Sequence, residues 1–151
     1  MNKKAVAMDD IVLVMEEHLA KEGKVTFRVK GSSMSPFLVS QVTAVTIVTP
    51  KEYRKGDVVL FKANEGKYIL HRIVREKEDC FITQGDALYS RENCPRTNVI
   101  GKMESFETGG KLTLAESKTY RMQVVMWKIA KPFVRAWQSL RRRLGKKDDN
   151  G

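Results

Sequence analysis

The sequence predicts a mainly β protein: a small coiled, antiparallel, barrel-like β-domain with an N-terminal helix and a C-terminal amphipathic helix. Short runs rich in β-branched and aromatic residues follow one another from residue 42 to residue 117. Gly, Asn and Asp separate these runs, and "ANEGK" and "ETGGK" are typical of hairpin turns. Apolar residues recur at helical spacing only near the two ends. We therefore expect a helix within residues 1–23, a β-domain over 24–117, and a basic helix and tail over 118–151.

The segment 9–22 has the signals of one amphipathic helix. Two aspartates stand at its start and Gly23 stands at its end. The next stretch, "KVTFRVKG", alternates apolar and polar residues, which predicts a half-buried strand that leads into the loop "GSSMSPFL" at residues 31–38. The predicted apolar stripe of the helix consists of Ile11, Val14, Met15 and Leu19.

Composition excludes several classes of protein. No run approaches the roughly 18 to 20 apolar residues of a membrane span, and acidic residues interrupt any signal-peptide core near the N-terminus. We therefore expect a cytoplasmic protein without an N-terminal anchor. Cys80 and Cys94 show neither CxxC spacing nor a neighbouring histidine pair, so we expect reduced thiols and neither a metal nor a cofactor.

The positive charge is concentrated at the C-terminal end. The chain carries a net +10, and residues 118–151, with ten Lys or Arg against two Asp, carry +8 of it. Pro132 predicts a break or kink in the helix there. One helical face carries a set of nine apolar side chains, namely Met122, Val125, Met126, Ile129, Phe133, Ala136, Trp137, Leu140 and Leu144.

An apolar face flanked by Lys and Arg is typical of an interfacial membrane helix, in which Trp127, Phe133 and Trp137 would face the membrane. The alternative is a helix that packs on its own β-domain or on a partner. Nucleic acid is not the expected partner, because the basic tail lacks interleaved base-stacking aromatics on a sheet.

Serine and histidine offer the chemistry of a nucleophile and a base. A serine hydroxyl near pH 7 needs a neighbouring group to take its proton. His18 lies among acidic residues of the first helix, where a solvated position is expected. His71 lies between Ile69 and Ile73 on one strand face, where lost hydration lowers the pKa of an imidazole and favours the neutral base. Judged from this strand alone, a structural role for His71 in the core is more common than a catalytic role.

The segment "QGDALYSRE" supplies two acids that could orient an imidazole. Asp86 follows Gly85 directly after a predicted strand, and Glu92 lies six residues further on. A Gly-Asp pair taken alone is usually only a turn. The residues themselves leave open which acid, if either, has this role.

Four stretches in order resemble the signal peptidase I family and the related LexA-type self-cleaving peptidases: G-x-S-M-x-P at 31–36, "KGDVVLF", "YILHRIV" and "QGDALYSRE". The resemblance implies that Ser33 is the nucleophile and that His71 is the general base, as in the archaeal and endoplasmic-reticulum type. It implies that Asp86, or alternatively Glu92, completes a triad. The residues that would shape the nucleophile turn, the oxyanion site and the acidic turn are Gly31, Ser32, Met34, Pro36 and Gly85.

The sequence departs from this family in three places. The later acid of the family is usually Asp, and here it is Glu92. Some bacterial members have an oxyanion serine where this chain has Gly31, so the Ser33 amide and a neighbouring backbone donor would serve instead. Members normally have an N-terminal membrane anchor, and here the C-terminal helix would take over that task.

The resemblance implies a serine endopeptidase without a cofactor. Its substrate would be an extended peptide with small residues before the cut, such as a leader or signal-type peptide, bound along a strand edge. One alternative is a LexA-type cytosolic regulator that cleaves itself or a repressor. The other is a catalytically inactive module that only binds peptides.

Overall fold

A computed structural model describes residues 8–64 and 66–145 of the chain, with the backbone alone at 8–13. The side chain of Ile11, part of the predicted stripe, therefore lies outside the described residues. The chain forms two compact units, residues 1–115 and residues 116–151.

Helix α1 (Met8–Glu22) opens the first unit and confirms the predicted N-terminal helix. Gly23 ends it with a φ of 74°, and the Gly23 N–H donates to the Leu19 carbonyl at 3.0 Å. Glycine adopts this left-handed conformation without a steric penalty, which explains the stop. Leu19 is buried, whereas Val14 is 52% exposed. Only part of the predicted apolar stripe therefore faces the interior.

Within the described residues, eight strands follow α1 and pair antiparallel in one sheet. The bounds are β1 (Lys24–Arg28), β2 (Ala44–Val48), β3 (Val58–Lys62), β4 (Tyr68–Glu76), β5 (Cys80–Gln84), β6 (Glu92–Pro95), β7 (Val99–Thr108) and β8 (Lys111–Leu114), with a 3-10 turn at Arg96–Asn98. Their order in the sheet is β1-β2-β7-β3-β4-β5-β6, with β8 beside β7.

The prediction of a mainly β fold is confirmed. The two predicted hairpins are also present, since Lys62 pairs with Tyr68 and Thr108 pairs with Lys111. Register shifts interrupt three strand pairs, and such bulges bend and twist a sheet. The sheet is nevertheless not closed into a barrel, because the short strands β1 and β6 end its path and do not pair with each other in the described part of the chain.

The core that supports the candidate site lies on one face of β3, β4 and β5. His71 pairs with Val59 across β3 and β4, so the two side chains share that face. The His71 ring also meets the Phe61 ring edge-on, with centroids 6.2 Å apart. The buried cluster consists of Val59, Phe61, Ile73, Phe81 and Cys94.

Helix α2 (Lys118–Gly145) forms most of the second unit. The sequence predicted a break or a kink at Pro132, and the break is wrong, since the helix continues through this residue. A proline inside a helix removes one backbone hydrogen bond, and the bonded turns on both sides maintain the helix here. None of the described helices has both the length and the apolarity needed to cross a membrane.

Candidate active site

Ser33 lies in the loop that joins β1 to β2. Gly31 enters this loop with a φ of 82°, and its N–H donates to Ser40 Oγ at 3.1 Å. Met34 and Leu38 are buried on either side of the cis peptide bond between Ser35 and Pro36. Because apolar side chains anchor the loop, Ser33 is held half-exposed at its surface.

The backbone of this loop also offers donors. The Ser35 N–H is used, since it donates to the Ser32 carbonyl at 3.1 Å. In the described part of the chain, the N–H groups of Ser33 and Met34 donate to no protein acceptor. Two adjacent amides of the nucleophile loop therefore have no intramolecular acceptor among the described residues.

His71 lies in the middle of β4 and is only 4% exposed. Burial lowers the pKa of its imidazole below the ordinary value of 6.5, and the carboxylates of Glu92 and Asp86 counter this only in part. The lowered pKa was predicted from the two flanking isoleucines and is confirmed. At neutral pH the ring is uncharged, which is the state a general base requires.

Glu92, the first residue of β6, is the acid nearest to the His71 ring. Its Oε2 lies 3.5 Å from His71 Nδ1. The two atoms are close enough for an ion pair, but they do not form a hydrogen bond. Nδ1 has no hydrogen-bond partner among the described residues. Glu92 is partly exposed, so a small rotation of its side chain could bring the two atoms into a hydrogen bond.

Asp86 has a different partner. Arg72 Nε donates to Asp86 Oδ1 at 2.8 Å, and Arg72 Nη2 donates to Oδ2 at 2.7 Å. Arg72 Nη1 also donates to the Gly56 carbonyl at 2.8 Å. Both side chains are buried, so the carboxylate is held in a bidentate ion pair. Of the two candidate acids, the geometry favours Glu92 as the partner of His71.

Gly85 brings the acidic turn against the nucleophile loop. A Cβ built on Gly85 would lie 2.6 Å from the Ser33 carbonyl oxygen and 3.0 Å from the Leu88 side chain. The same carbonyl accepts a hydrogen bond from the Ala87 N–H at 2.9 Å. Glycine is therefore required here by the close approach of two backbone segments.

Ser33 and His71 line the same pocket, which has a volume of about 200 Å³. Residues 68–71 of β4 form one wall and residues 29–31 form another. On the side away from β3, residues 68–71 have no partner strand in the described part of the chain, because β5 pairs only from Arg72 onwards. The pocket is lined by Val29, Lys30, Gly31, Ser33, Met34, Leu38, Tyr68, Ile69, Leu70 and His71.

Two features of the site were not predicted from the sequence, namely the partner of Asp86 and the contact made by Ala87. Arg72 follows His71, so its side chain points to the opposite strand face, and the alternation along β4 was a signal that it could meet an acid there. No sequence signal indicated the Ala87 contact, which depends on the approach of two loops.

The described residues contain no cluster of His, Cys, Asp or Glu that could hold a metal ion.

Comparison with known families identifies the family of the chain. The family model described as Peptidase S24-like matches residues 1–104, about two thirds of the chain. The chain belongs to the Peptidase S24-like family. The match is consistent with the resemblance to LexA-type and signal peptidase-like serine peptidases. A search of curated proteins found no match. The family spans the nucleophile loop, β4 and the acidic turn, and therefore covers every candidate catalytic residue.

Proposed function

We propose that the protein is a serine endopeptidase in which Ser33 is the nucleophile, His71 the general base and Glu92 the acid that orients the imidazole. The observation that carries this proposal is the shared pocket, which Ser33 and His71 both line, in a chain of the Peptidase S24-like family. A serine and a neutral imidazole that line one pocket provide the nucleophile and the base that attack on a carbonyl requires.

The first step would be formation of an acyl-enzyme. Ser33 Oγ attacks the peptide carbonyl carbon, and its proton passes to the His71 nitrogen that faces away from Glu92, namely Nε2. The free N–H groups of Ser33 and Met34 are candidate donors to the oxyanion. Nε2 then gives the proton to the leaving amine as the C–N bond breaks. Water, activated by the same nitrogen, hydrolyses the ester and regenerates Ser33.

Glu92 would fix the imidazole for this proton transfer. A carboxylate at Nδ1 favours the tautomer with the proton on that nitrogen, which leaves Nε2 free to accept one. It also stabilises the imidazolium that forms during the reaction. Asp86 is less suited to this task because Arg72 occupies both of its oxygens.

The substrate would be an extended peptide. The free edge of residues 68–71 offers backbone groups to an added antiparallel or parallel strand. The pocket beside Ser33 is small and mainly apolar, which fits a small side chain just before the cut. Leader or signal-type peptides have such residues, and we propose them as the substrate class.

A fluorophosphonate probe tests the nucleophile. We expect it to label the wild type and the matched control Ser139→Ala, an exposed serine on α2, but not Ser33→Ala. His71→Ala should be labelled at least about a hundredfold more slowly, because the base is lost. Equal labelling of the wild type and Ser33→Ala would refute the assignment, and failure to label the wild type would support the inactive binding module.

Self-cleavage of the LexA type is the second candidate, because the family match is equally consistent with it. Incubation of the full chain followed by intact-mass measurement separates the two. Two fragments that form at a rate independent of protein concentration, and not from Ser33→Ala, would indicate self-cleavage. A stable chain that cuts added peptides with small residues before the scissile bond would indicate an enzyme acting on other substrates.

A further inference from the structure

Helix α2 has an apolar face that takes no part in the proposed peptidase reaction. Its nine apolar residues fall within about 120° of the helical wheel when successive residues are about 100° apart. The eight large ones are exposed by 48% to 73%. An exposed apolar stripe this long marks an interaction surface rather than an ordinary solvated helix face. The eight are Met122, Val125, Met126, Ile129, Phe133, Trp137, Leu140 and Leu144.

The charge of α2 indicates the chemistry of the partner. The helix contains eight Lys or Arg and no Asp or Glu. Six of the basic residues lie outside the apolar arc of the wheel. A helix that is apolar on one side and carries only positive charges is complementary to the boundary between lipid chains and anionic headgroups. The six are Arg121, Lys128, Lys131, Arg135, Arg141 and Arg142.

Other partners fit this surface less well. A partner helix in a coiled coil would require a narrower stripe and flanking positions with charges of both signs. Nucleic acid would neutralise the basic arc but leave Phe133 and Trp137, exposed by 73% and 63%, in water. Large aromatic residues at the centre of a wide apolar arc are instead typical of helices in the membrane interface.

We propose that α2 lies in the plane of an anionic membrane surface, with Phe133 and Trp137 inserted at the level of the upper acyl chains and the basic arc at the headgroups. At about 1.5 Å per residue the helix would extend along roughly 42 Å of that surface. The proposal does not depend on the peptidase assignment. It would make the protein a peripheral membrane protein.

Vesicle flotation of the full chain tests the proposal. We expect the wild type to float with vesicles of mixed phosphatidylcholine and phosphatidylglycerol, less with phosphatidylcholine alone, and less at high salt. The double variant Phe133→Ser, Trp137→Ser should bind the mixed vesicles at least roughly tenfold more weakly, because two apolar side chains no longer insert. The matched control is Gln123→Ser, Gln138→Ser, which changes exposed side chains outside the apolar arc and should bind like the wild type.

A second variant tests the charge. Arg141→Gln, Arg142→Gln should lose about 30-fold in affinity for the mixed vesicles, since each basic residue near an anionic surface contributes about 1 kcal/mol. The binding of this variant to vesicles of phosphatidylcholine alone should equal that of the wild type. Circular dichroism at the start of each experiment shows whether the variants retain the helix.

Several results would overturn the proposal. Equal flotation of the wild type and the Phe133, Trp137 variant would show that the apolar face does not enter the membrane. Absence of wild-type flotation, together with a dimer that the same variant abolishes, would assign the face to a second copy of the chain. Absence of flotation together with salt-sensitive binding to DNA would assign the basic arc to nucleic acid.

Discussion

Arg72 and Asp86 form a buried bidentate ion pair that connects β4, which carries the candidate base, to the acidic turn after β5, which contacts the nucleophile loop. Arg72 follows His71 on β4, and Asp86 lies between Gly85 and Ala87, which contact the Ser33 carbonyl. We infer that the pair positions the site and does not take part in the chemistry, because both carboxylate oxygens of Asp86 are already bound.

Removal of one member of this pair should destabilise the protein severely. In Asp86→Ala the buried guanidinium loses its counter-ion, and we expect the free energy of unfolding to fall by about 3 to 5 kcal/mol. Replacing both members with Arg72→Met, Asp86→Leu should recover most of this loss, since no unpaired charge stays buried. Urea denaturation measures both effects. As a control, Glu52→Ala at the exposed Arg54 ion pair should change stability by less than about 0.5 kcal/mol.

Gly85→Ala should displace the nucleophile loop. The added Cβ would lie 2.6 Å from the Ser33 carbonyl oxygen, so the two backbones must separate. We expect a loss of about 1 to 3 kcal/mol in stability and at least roughly tenfold slower labelling of Ser33 by a fluorophosphonate. Gly145→Ala is the matched control, because no atom lies within 4 Å of its added Cβ. Unchanged labelling in Gly85→Ala would show that the contact is dispensable for positioning Ser33.

Glu92→Gln should lower the pKa of His71 further. The Glu92 carboxylate raises this pKa against the larger effect of burial, so its neutralisation removes a stabiliser of the imidazolium. The acidic limb of the pH profile for Ser33 labelling should therefore move to lower pH. NMR titration of the His71 ring gives the same pKa directly. A His71 pKa that stays constant or rises would contradict the proposed pairing.

His71 should also make stability depend on pH. Its folded-state pKa is lower than the unfolded value of 6.5, so the unfolded chain binds more protons as the pH falls through 6.5. The wild type should lose stability with acidification through and below this value, until the folded-state pKa is passed. His71→Gln removes the titrating group, so the difference in stability between the two proteins should change over this range. A difference that is flat from pH 7 to pH 5 would indicate that the two pKa values are equal.

The two cysteines should differ in reactivity. Burial raises the pKa of the Cys94 thiol to about 11, with smaller effects from Cys80 and Glu92, and its thiol donates to the Pro95 carbonyl at 3.6 Å. Cys80 is half-buried, and both thiols are free. A disulfide reagent at pH 8 should modify Cys80 first in the native protein and both cysteines only after unfolding. Mass spectrometry of the modified protein identifies the reacted residue, and early modification of Cys94 would contradict its burial.

The sequence by itself determined the elements and their type. Alternation of side chains identified β1 and the two faces of β4, since a strand that buries one face must alternate. The segments "ANEGK" and "ETGGK" identified the hairpins. The nine-residue apolar stripe identified α2, although the break expected as one outcome at Pro132 does not occur. The order of four short motifs was enough to indicate the family, because such motifs depend on local residue identity and not on distant contacts.

Two features are determined only by the tertiary structure: which acid lies next to His71, and that the sheet stays open. Asp86 and Glu92 were both available in the sequence, and the choice between them follows from Arg72, which lies 14 residues before Asp86 and occupies its carboxylate. The approach of Gly85 and Ala87 to Ser33 joins loops that are about 50 residues apart in the chain. Ion pairs, strand order and loop contacts of this kind depend on distances in the folded chain, which no local pattern of residues encodes.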